Sequence, residues 1–581
     1  MRIQNFDVLK AVAIIAVVLY HVGTCKYGYL GVDVFLVIAG YFTSKSINNQ
    51  LVNGGGKYFR FIRNRLFRLW PLLLIAETLI LIFGWMMTLP DDYENTAQSV
   101  VATNFFGNNI LQAITTADYW DIANEYKPLM HTWYVGLIMQ FYMVVPFILF
   151  ASGHMIKGIH TRQQFFIGIV SVIGIVSFIM FLTCGTDAER FYFLPYRLYE
   201  FCSGALAYYC FGRKEIVTNK SNWTNWCFVF VYLAVIVLLF VEYEFISPQT
   251  RLITVVILSS LLLAMMTSVG IAKGKIFTNK GVATIGAASF SIFVWHQVVL
   301  AYMRYSFTNK LSEILPILTF VIITAILSLF SYKYIERMKQ TKWSWSAIFI
   351  LLATTTIGSL YIYVNAGVVR DVPELEVRKG NGHRGMWAEY NDRAFQYDKD
   401  FSNSELQKWY VIGNSFGRDW VNIILESPCS KKVEVVYSFM GTHKDRKERF
   451  AKADVVFLSS LGIQEKDIEE VRSLCTTDCR FFVIGEKNFG ESNGQVYRHR
   501  FDTNYHNMTI AMSDGYAEKN ERLKAAYPNI FIDLIEIVRQ SDGKVRVFTD
   551  DGRFISQDCC HLTKAGAQFY AKKIDWNQFL K

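Results

Sequence analysis

Long apolar stretches dominate the first two thirds of the chain, between Phe6 and Ala366. Each stretch is about 17–24 residues long, the length that an α-helix needs to cross roughly 30 Å of hydrocarbon. We therefore predict eleven transmembrane helices, near residues 6–25, 31–50, 69–89, 130–151, 164–183, 192–211, 225–242, 251–271, 286–305, 313–333 and 345–365. The first stretch contains Lys10 and His21 and lacks a following small-residue cleavage site, which predicts a retained helix instead of a signal peptide.

The charges between these stretches alternate in sign along the chain. Cytoplasmic loops of membrane proteins accumulate lysine and arginine. With the N-terminus inside, the predicted inner loops carry Lys57, Arg60, Arg63, Arg65, Arg68, Lys157, Arg162, Arg213, Lys214, Lys273, Lys275, Arg337, Lys339 and Lys342. The predicted outer loops carry Asp91, Asp92, Glu94, Asp118, Asp121, Glu125, Asp187, Glu189, Glu242 and Glu244. An odd number of crossings then places everything after residue 366 outside the membrane.

The hydrophobic period changes after about Val369. Residues 369–405 hold many charges and no apolar run, which is typical of a linker. Short runs of β-branched and aromatic residues then alternate with helical segments. Strands are predicted at 408–413, 433–438, 454–459, 480–485 and 529–534, and helices at 417–426, 466–475, 509–526 and 563–574. This alternation indicates an α/β domain with a mostly parallel sheet that is covered on both faces.

These patterns divide the chain into four parts. Residues 1–340 are predicted to form a multi-pass α-helical membrane domain, and residues 341–368 a connecting eleventh helix. Residues 369–405 are the linker, and residues 406–581 form the extracytoplasmic α/β domain. A hydrophobic content of 52%, a charged content of 19% and a mean hydropathy of +0.22 exclude both a disordered chain and a wholly soluble protein. The net charge of +10 is explained by membrane topology, because the basic residues collect in the predicted inner loops. It therefore does not indicate a nucleic-acid partner.

Two short motifs in the outer domain carry chemistry. Gly413-Asn414-Ser415-Phe416 stands where a strand ends and a helix begins, which places the Ser415 hydroxyl at the carboxyl edge of the sheet. Asp558 stands three residues before His561, so that its carboxylate can orient the imidazole as a base for a serine. Either motif alone is more often a turn or a helix cap. Their positions at the start and the end of one α/β domain make them specific together.

With these motifs the outer domain resembles the SGNH (GDSL-like) hydrolases and acyltransferases. The resemblance implies that Ser415 is the nucleophile, His561 the base and Asp558 its orienting acid. Asn414 stands where the family usually has aspartate. The expected oxyanion donors are the Ser415 N–H, Gly441 and the stretch that begins at Ser459, although no clear Gly-x-Asn block is present.

Ionisable residues inside the membrane half are costly in lipid and indicate function. Lys10 and His21 are eleven residues apart, so they share one helix face at an axial separation of about 16 Å. His21 is either a structural interior histidine or a base for acyl transfer. The same half carries Gly31-Val32-Asp33-Val34-Phe35, Arg65-Leu66-Phe67-Arg68-Leu69-Trp70-Pro71, His131-Thr132-Trp133, Arg197-Leu198-Tyr199-Glu200-Phe201, Trp295-His296 and Tyr334-Ile335-Glu336.

In order and spacing these motifs resemble the acyltransferase-3 family of membrane proteins, from Phe6 to about Arg337. The resemblance implies that His21 is catalytic and is supported by Lys10, Asp33, His131, Arg197 and Glu200. The chain departs from the family where Trp133 is followed by Tyr134-Val135 and where Ile138 stands at a glutamate position. Ten helices, a connecting helix and an external SGNH domain are an architecture of bacterial glycan O-acetyltransferases.

The implied function is transfer of an acyl group, expected to be acetyl, from cytoplasmic acetyl-CoA to a hydroxyl of an extracytoplasmic glycan. Cell-surface polysaccharide, O-antigen and peptidoglycan all remain open as acceptors. The protein is then an integral plasma-membrane enzyme with its C-terminal domain outside. Arg60, Arg63, Arg65 and Arg68 lie on the inner side, where they either bind the CoA phosphates or only fix the topology.

Two other functions use the same features. A membrane-tethered SGNH carbohydrate esterase would use the same triad with water as the acceptor. A glycan transporter with a modifying domain is less well supported, because the sequence shows no internal repeat. No metal-ligand spacing is present, and the cysteines leave two pairings open, Cys475 with Cys479 or Cys429 with one of Cys559 and Cys560.

Overall fold

A computed structural model describes residues 4–52, 57–115, 124–156, 158–212, 222–243, 245–268, 279–306, 313–402 and 404–580. The chain forms two compact units. The first comprises Met1–Trp85 and Asn95–Leu360, and the second comprises Met86–Glu94 and Tyr361–Lys581. Several of the charged loop residues used above lie outside the described residues, namely Asp118, Asp121, Lys157, Arg213, Lys214, Glu244, Lys273 and Lys275.

The first unit is helical. Its helices are α1 (Gln4–Val22), α2 (Gly31–Val52), α3 (Tyr58–Met87), α4 (Pro90–Asn104), α5 (Asn108–Thr115), α6 (Trp133–Met155), α7 (Ile159–Thr183), α8 (Asp187–Tyr192), α9 (Leu194–Phe211), α10 (Asn222–Phe240), α11 (Pro248–Ser268), α12 (Lys280–Ala287), α13 (Ser289–Ser306), α14 (Ile314–Phe330) and α15 (Lys342–Val364). A helix therefore occupies each of the eleven predicted apolar segments. The last residues of α3, the first residues of α4 and the last turn of α15 belong to the second unit.

Seven of these helices are long and apolar enough to cross a membrane, counted over the described ranges: α2, α3, α6, α7, α11, α14 and α15. The pair α12 and α13 is bent by 68° and gives an eighth span if it is counted as one. The α10 helix is apolar but shorter, α1 carries Lys10 and His21, and α9 carries Arg197 and Glu200. The structure supports a multi-pass helical domain, and the number of eleven spans stays a prediction.

Close packing of α2 on α9 positions part of that site. A Cβ at Gly40 would lie 1.9 Å from the Phe201 carbonyl oxygen, and a Cβ at Gly204 would lie 1.9 Å from the Val37 carbonyl oxygen. Only glycine permits this approach of two helix backbones, which is a common device between membrane helices. It brings the start of α2 against the start of α9.

The second unit is an α/β domain. Its strands are β1 (Gln407–Gly413), β2 (Val433–Phe439), β3 (Val455–Leu458), β4 (Arg480–Ile484), β5 (Thr509–Ile510), β6 (Phe531–Ile532) and β7 (Val545–Arg546). Its helices are α16 (Met386–Asp392), α17 (Ser415–Glu426), α18 (Lys447–Lys452), α19 (Glu465–Leu474), α20 (Gly494–Tyr497), α21 (Tyr516–Ala526) and α22 (Lys564–Lys573). Five strands form one parallel sheet in the order β2-β1-β3-β4-β6, and β5 pairs antiparallel with β7.

The strands of this parallel sheet are buried on both faces. Trp409 and Val411 of β1 face one hydrophobic core, and Tyr410 and Ile412 face another. Such strands read as nearly continuous apolar runs, which is why the sequence pattern located them. Since the carboxyl ends of parallel strands meet at one edge, the loops that follow β1, β2, β3 and β4 gather there.

The segment 369–405 differs from the linker that its polar composition predicts. It contains α16 and a 3₁₀ turn at Arg393–Tyr397, and it buries Val372, Leu375 and Ala394 in the core of the α/β unit. A few widely spaced apolar residues are enough to anchor the segment in this core. They are too far apart to form an apolar run in the sequence.

Candidate functional site

Ser415 stands where β1 ends and α17 begins. Asn414 caps the helix, because its Oδ1 accepts a hydrogen bond from the Phe416 N–H at 3.1 Å. Glycine is needed at 413, since a Cβ there would lie 1.7 Å from the Ser459 carbonyl oxygen. Ser415 is buried, and its Oγ makes no hydrogen bond to a described residue. The hydroxyl thus lies at the carboxyl edge of the sheet, beside a helix N-terminus that stabilises negative charge.

Asp558 and His561 occupy one short loop before α22. The Asp558 Oδ2 lies 2.5 Å from the His561 Nδ1, and its Oδ1 accepts hydrogen bonds from the N–H groups of Cys560 and His561 at 3.0 and 2.7 Å. Burial alone would raise the pKa of the Asp558 carboxyl, but the charge of His561 and these hydrogen bonds hold the pKa below its usual value. Asp558 is therefore an ionised acceptor that orients the imidazole.

The structure places the residue after Ser415 beside the ring of His561. Phe416, next to Ser415, has its ring centroid 6.0 Å from that of His561. Catalytic hydrogen bonds often tighten only in the substrate complex. The arrangement can activate a hydroxyl as a nucleophile, with His561 taking its proton and Asp558 holding the resulting imidazolium.

A buried ion pair that the sequence analysis missed supports this site. The Lys487 Nζ lies 2.7 Å from the Asp419 Oδ2, and both side chains are almost fully buried. The same carboxylate oxygen accepts the N–H of Leu562, the residue after His561, at 3.2 Å. The Lys487 ammonium also lies 3.7 Å from the centroid of the Phe416 ring. The pair thus joins α17, the loop after β4 and the loop of the histidine.

Asn414 does what a carboxylate could not do at this position. Its Nδ2 donates to the Leu461 carbonyl at 3.2 Å, and its Oδ1 accepts from the Leu461 N–H at 3.0 Å. A side-chain amide offers both a donor and an acceptor, whereas an ionised aspartate only accepts. Asn414 therefore ties the loop after β1 to the loop after β3.

Two of the three predicted oxyanion donors are engaged elsewhere. The Ser459 N–H donates to the Ile412 carbonyl at 2.9 Å, in continuation of the sheet ladder. The Gly441 N–H donates to the His443 Nδ1 at 3.1 Å within its own loop. Either N–H group would have to break its present hydrogen bond before it could donate to an oxyanion. The Ser415 N–H lies in the first turn of α17, where helix N–H groups lack intrahelical partners, and its role stays a prediction.

The segment Met86–Glu94, which follows membrane helix α3 in sequence, contributes to the second unit. Leu89 lies in the hydrophobic core of that unit, and the Arg370 Nη2 donates to the Thr88 carbonyl at 2.5 Å. Burial, followed by the charges of Asp92 and Asp558, raises the pKa of the Asp91 carboxyl well above its usual value. A carboxyl from this segment therefore lies close enough to the triad acid to repel it, which the sequence analysis did not foresee.

In the helical unit, three predicted site residues form one buried ionic group. The Arg197 Nη2 lies 2.6 Å from the Asp33 Oδ1, and its Nε lies 3.1 Å from the Glu200 Oε1. All three side chains are almost completely buried. The group joins α2 to α9, as expected of intramembrane charges that compensate one another.

The predicted catalytic histidine lies in a cluster of three. The His296 ring centroid lies 5.2 Å from that of His21 and 5.4 Å from that of His131. His131 is buried, and neither of its ring nitrogens has a hydrogen-bond partner among the residues the structure describes. The Arg304 Nη2 donates to the His21 carbonyl at 2.7 Å. The motif Trp295-His296 was recognised in the sequence, but His296 was not assigned to the site.

A cavity of about 550 Å³ opens onto His21 and His131, and we name it the histidine cavity. A second cavity of about 570 Å³, the cationic cavity, is lined by Lys10, Lys45, Arg65 and Arg68. Ile138, at the position where the resembled family has glutamate, lines the cationic cavity as well.

The four arginines of the predicted donor site are divided by the structure. Arg65 and Arg68 line the cationic cavity, whereas Arg60 and Arg63 line a separate one of about 640 Å³ together with Lys57 and His154. The Lys10 Nζ lies 3.3 Å from the Asp7 Oδ1. Lys10 and His21 therefore face different cavities, although they lie on one helix.

The cysteines are free thiols. The Cys475 thiol hydrogen-bonds with Cys479, and this bond, followed by burial, raises the pKa of Cys475. Cys559, in the triad loop, adopts the left-handed conformation with φ of 71°. Over the described ranges, no group of three or more His, Cys, Asp and Glu side chains could hold a metal ion.

One chain thus combines a helical membrane-type unit that holds a buried histidine cluster with an α/β unit that holds the Asp558–His561 pair. Residues 3–364 match the family described as "Acyltransferase domain". Because this match covers more than half of the chain, the protein belongs to that acyltransferase family.

Curated relatives agree with the family. The chain is 25% identical over 349 residues to "Peptidoglycan O-acetyltransferase OatA" of Listeria monocytogenes, which covers 58% of this chain and 55% of the relative. It is 23% identical over 354 residues to "O-acetyltransferase OatA" of Staphylococcus aureus, with 58% and 57% covered. A putative O-acetyltransferase of Staphylococcus aureus is 24% identical over 385 residues, with 62% and 63% covered. The matches thus span little more than half of each relative, and no solved structure matches the chain.

Proposed function

We propose that the protein is a membrane O-acetyltransferase that moves an acetyl group from cytoplasmic acetyl-CoA to a hydroxyl of an extracytoplasmic glycan. The observation that carries the proposal is the presence in one chain of two separate groups of candidate residues: the histidine cluster of the acyltransferase family unit, and Ser415 with the Asp558–His561 pair of the α/β unit. A hydrolytic triad alone would need no such membrane partner.

The donor side is the cationic cavity. Lys10, Lys45, Arg65 and Arg68 supply positive charge for the phosphates of acetyl-CoA. The lysines and arginines of the loops favour a cytoplasmic position for this side. Arg60 and Arg63 line another cavity. In this proposal they contribute to the membrane topology and do not contact the nucleotide.

The first transfer uses His21 as the base. The C–S bond of the thioester breaks, and the acetyl carbon bonds to the oxygen of a carrier alcohol, which is the leaving group of the second transfer. The hydroxyl proton goes to His21 and from there to the CoA thiolate. The neighbouring rings of His131 and His296 and the buried group around Arg197 hold this region of the membrane unit in place.

The second transfer uses the triad, and the α/β unit is then an SGNH-like domain. The Ser415 oxygen attacks the acetyl carbonyl, and its proton passes to His561 and on to the leaving group. A glycan hydroxyl, deprotonated by His561, then attacks the acetyl-serine, and Ser415 regains its proton. The protein is accordingly an integral plasma-membrane enzyme whose α/β unit faces outward.

Peptidoglycan is the first acceptor to test, because a relative carries it in its name. Cells that express wild type, Ser415→Ala or no protein would be compared for ester-linked acetate released by mild base from purified peptidoglycan and from surface polysaccharide. The proposal predicts acetate on one of these glycans with wild type only. Equal acetate in all three strains would contradict it, and less acetate with wild type than without it would favour the esterase.

A protease experiment tests the orientation. Protease added to intact cells that lack an outer wall barrier should release a fragment of about 200 residues, the size expected if one spanning helix precedes the α/β unit. Protection of the whole α/β unit would contradict transfer across the membrane.

A further inference from the structure

The histidine cavity and the cationic cavity of the helical unit meet at one pair of rings. Among the residues that line the two cavities, Tyr134 and Phe293 are the two that line both. Their ring centroids are 5.2 Å apart, and their planes are inclined at 63°. An edge-to-face contact at this distance leaves no room for a carbon chain between the rings.

The surroundings hold both rings in place. Phe293 is buried, and its ring centroid lies 4.9 Å from that of His131 and 5.8 Å from that of His296. Tyr134 lies in the first turn of α6, with its ring centroid 6.4 Å from that of Phe35. The pair is therefore part of the packed wall between the cavities, directly beside the histidine cluster.

This position has a consequence for the acyl group. A thioester that enters the cationic cavity and a base that lines the histidine cavity can act on the same carbonyl only where the two cavities meet. The substituent of that carbonyl must then be accommodated against Tyr134 and Phe293. A methyl group fits at the edge of two rings, whereas each added methylene needs space that the rings occupy, and overpacked interiors resist such insertion.

We propose that Tyr134 and Phe293 determine the length of the transferred acyl group, admitting acetyl and excluding longer acyl chains. This rests on the proposed function of acyl transfer from a thioester. Truncation of either ring opens the wall and removes the discrimination against longer chains.

The test uses the full-length protein in inside-out membrane vesicles that contain acceptor glycan. Acetyl-, propionyl-, butyryl- and hexanoyl-CoA, each labelled in the acyl group, are supplied one at a time, and label on the glycan is counted. Wild type is compared with Tyr134→Ala, Phe293→Ala and the milder Phe293→Leu. Phe290→Ala is the matched control, because Phe290 lies one turn before Phe293 on α13 and lines only the cationic cavity.

We expect wild type to prefer acetyl to butyryl, and the ratio of butyryl to acetyl transfer to rise about tenfold or more in the Tyr134 and Phe293 variants, since one methylene changes enzyme selectivity by a factor of this order. The ratio should stay unchanged in Phe290→Ala. Folding is checked by gel filtration in detergent, and Phe293→Leu decides the result if an alanine variant does not fold.

Equal use of acetyl and butyryl by wild type would overturn this inference and leave the proposed function intact. Unchanged ratios in folded variants that still transfer acetyl would do the same. An equal rise in Phe290→Ala would also contradict it, because the effect would then not belong to the shared wall. Absence of transfer from acetyl-CoA in wild type would overturn the proposed function instead, and this inference with it.

Discussion

Two histidines, one in each unit, are held in contrasting ways. His561 receives its orientation from Asp558, three residues earlier in the same loop, and the backbone N–H groups of that loop fix the carboxylate. The ring neighbours of His21 are His296 and, beyond it, His131, which come from distant parts of the chain. The Asp558–His561 pair of the α/β unit is therefore local, whereas the histidine cluster of the helical unit exists only when several helices pack together.

The difference suggests a division of labour. An oriented histidine next to a serine can form and hydrolyse esters without any help from the membrane. A buried histidine cluster beside a cationic cavity suits the handling of a thioester that comes from the other side. We therefore expect that the two sites can be inactivated separately and leave different residual activities.

The largest effect is expected for Ser415→Ala. The outer site then lacks its nucleophile, so that hydrolysis of a small activated acetyl ester by the full-length protein should fall on the order of 10⁶-fold, because the triad acts as a unit. Glycan acetylation should fall with it. Ser473→Ala, an exposed serine on α19, is the control and should retain activity. Ester hydrolysis at the wild-type rate by Ser415→Ala would contradict the assignment of Ser415 as the nucleophile, on which the comparison depends.

Hydrolysis of the same ester should be slower in the Asp558→Asn variant by a factor on the order of 10⁴, because the imidazole loses its orienting charge.

The difference in stability between wild type and Asp558→Asn should also depend on pH. The pKa of Asp558 lies below its usual value of 3.8, so the carboxylate stabilises the folded state above that pH and loses this effect as the pH falls through the lowered pKa. Wild type should therefore exceed the variant in thermal stability at neutral pH, by a difference that shrinks below pH 3.8.

The buried pair of Asp419 and Lys487 should matter for stability. Asp419→Ala leaves the Lys487 ammonium buried without its partner, which should destabilise the α/β unit by about 3–5 kcal/mol. The double variant Asp419→Leu with Lys487→Met removes both charges and should recover most of that loss. Thermal unfolding of the purified full-length proteins measures both. Equal destabilisation in the single and the double variant would show that the ion pair is not the cause.

The smallest effect is expected for Asp91→Asn, and its pH dependence is opposite in sign to that of Asp558. Because the pKa of Asp91 is raised, the folded state loses stability as the pH rises from 3.8 through the raised pKa. Asparagine cannot ionise, so the variant should be more stable than wild type at neutral pH and equal to it near pH 4. A variant that is less stable at neutral pH would mean that the Asp91 charge is used in the site.

Much of this architecture could be predicted because the patterns are local. The five strands of the parallel sheet and the helices α17, α19 and α22 lie within a few residues of their predicted bounds, since fully buried parallel strands read as apolar runs between turn residues. The helix predicted at 509–526 begins only at Tyr516, after β5, and the short elements α16, α18, α20, β5 and β7 were not predicted. The triad acid and base are three residues apart, which is why the sequence shows them as one motif. The helices of the first unit coincide with apolar segments for the same reason.

The remaining features depend on distant contacts. Lys487 and Asp419 belong to no motif in the sequence. Asp419 lies four residues after Ser415, and this helical spacing places both residues on one face of α17. The division of the arginines between two cavities and the inclusion of Met86–Glu94 in the second unit follow from packing that no local pattern encodes. The composition of segment 369–405 predicts a linker, because its buried apolar residues are too sparse to form a period.

The most direct test of the central claim measures the two sites in the same preparation. Inside-out vesicles with acceptor glycan receive acetyl-CoA labelled in the acetyl group, and the same vesicles, opened with detergent, receive a small activated acetyl ester. Wild type, His21→Ala and Ser415→Ala are compared, with His160→Ala, an exposed histidine on α7, as the control. We predict that Ser415→Ala loses both activities and that His21→Ala loses label transfer by about 10²–10⁴-fold while hydrolysing the ester like wild type. Full transfer of label to glycan in His21→Ala would contradict the account and reduce that histidine to a structural residue of the membrane core.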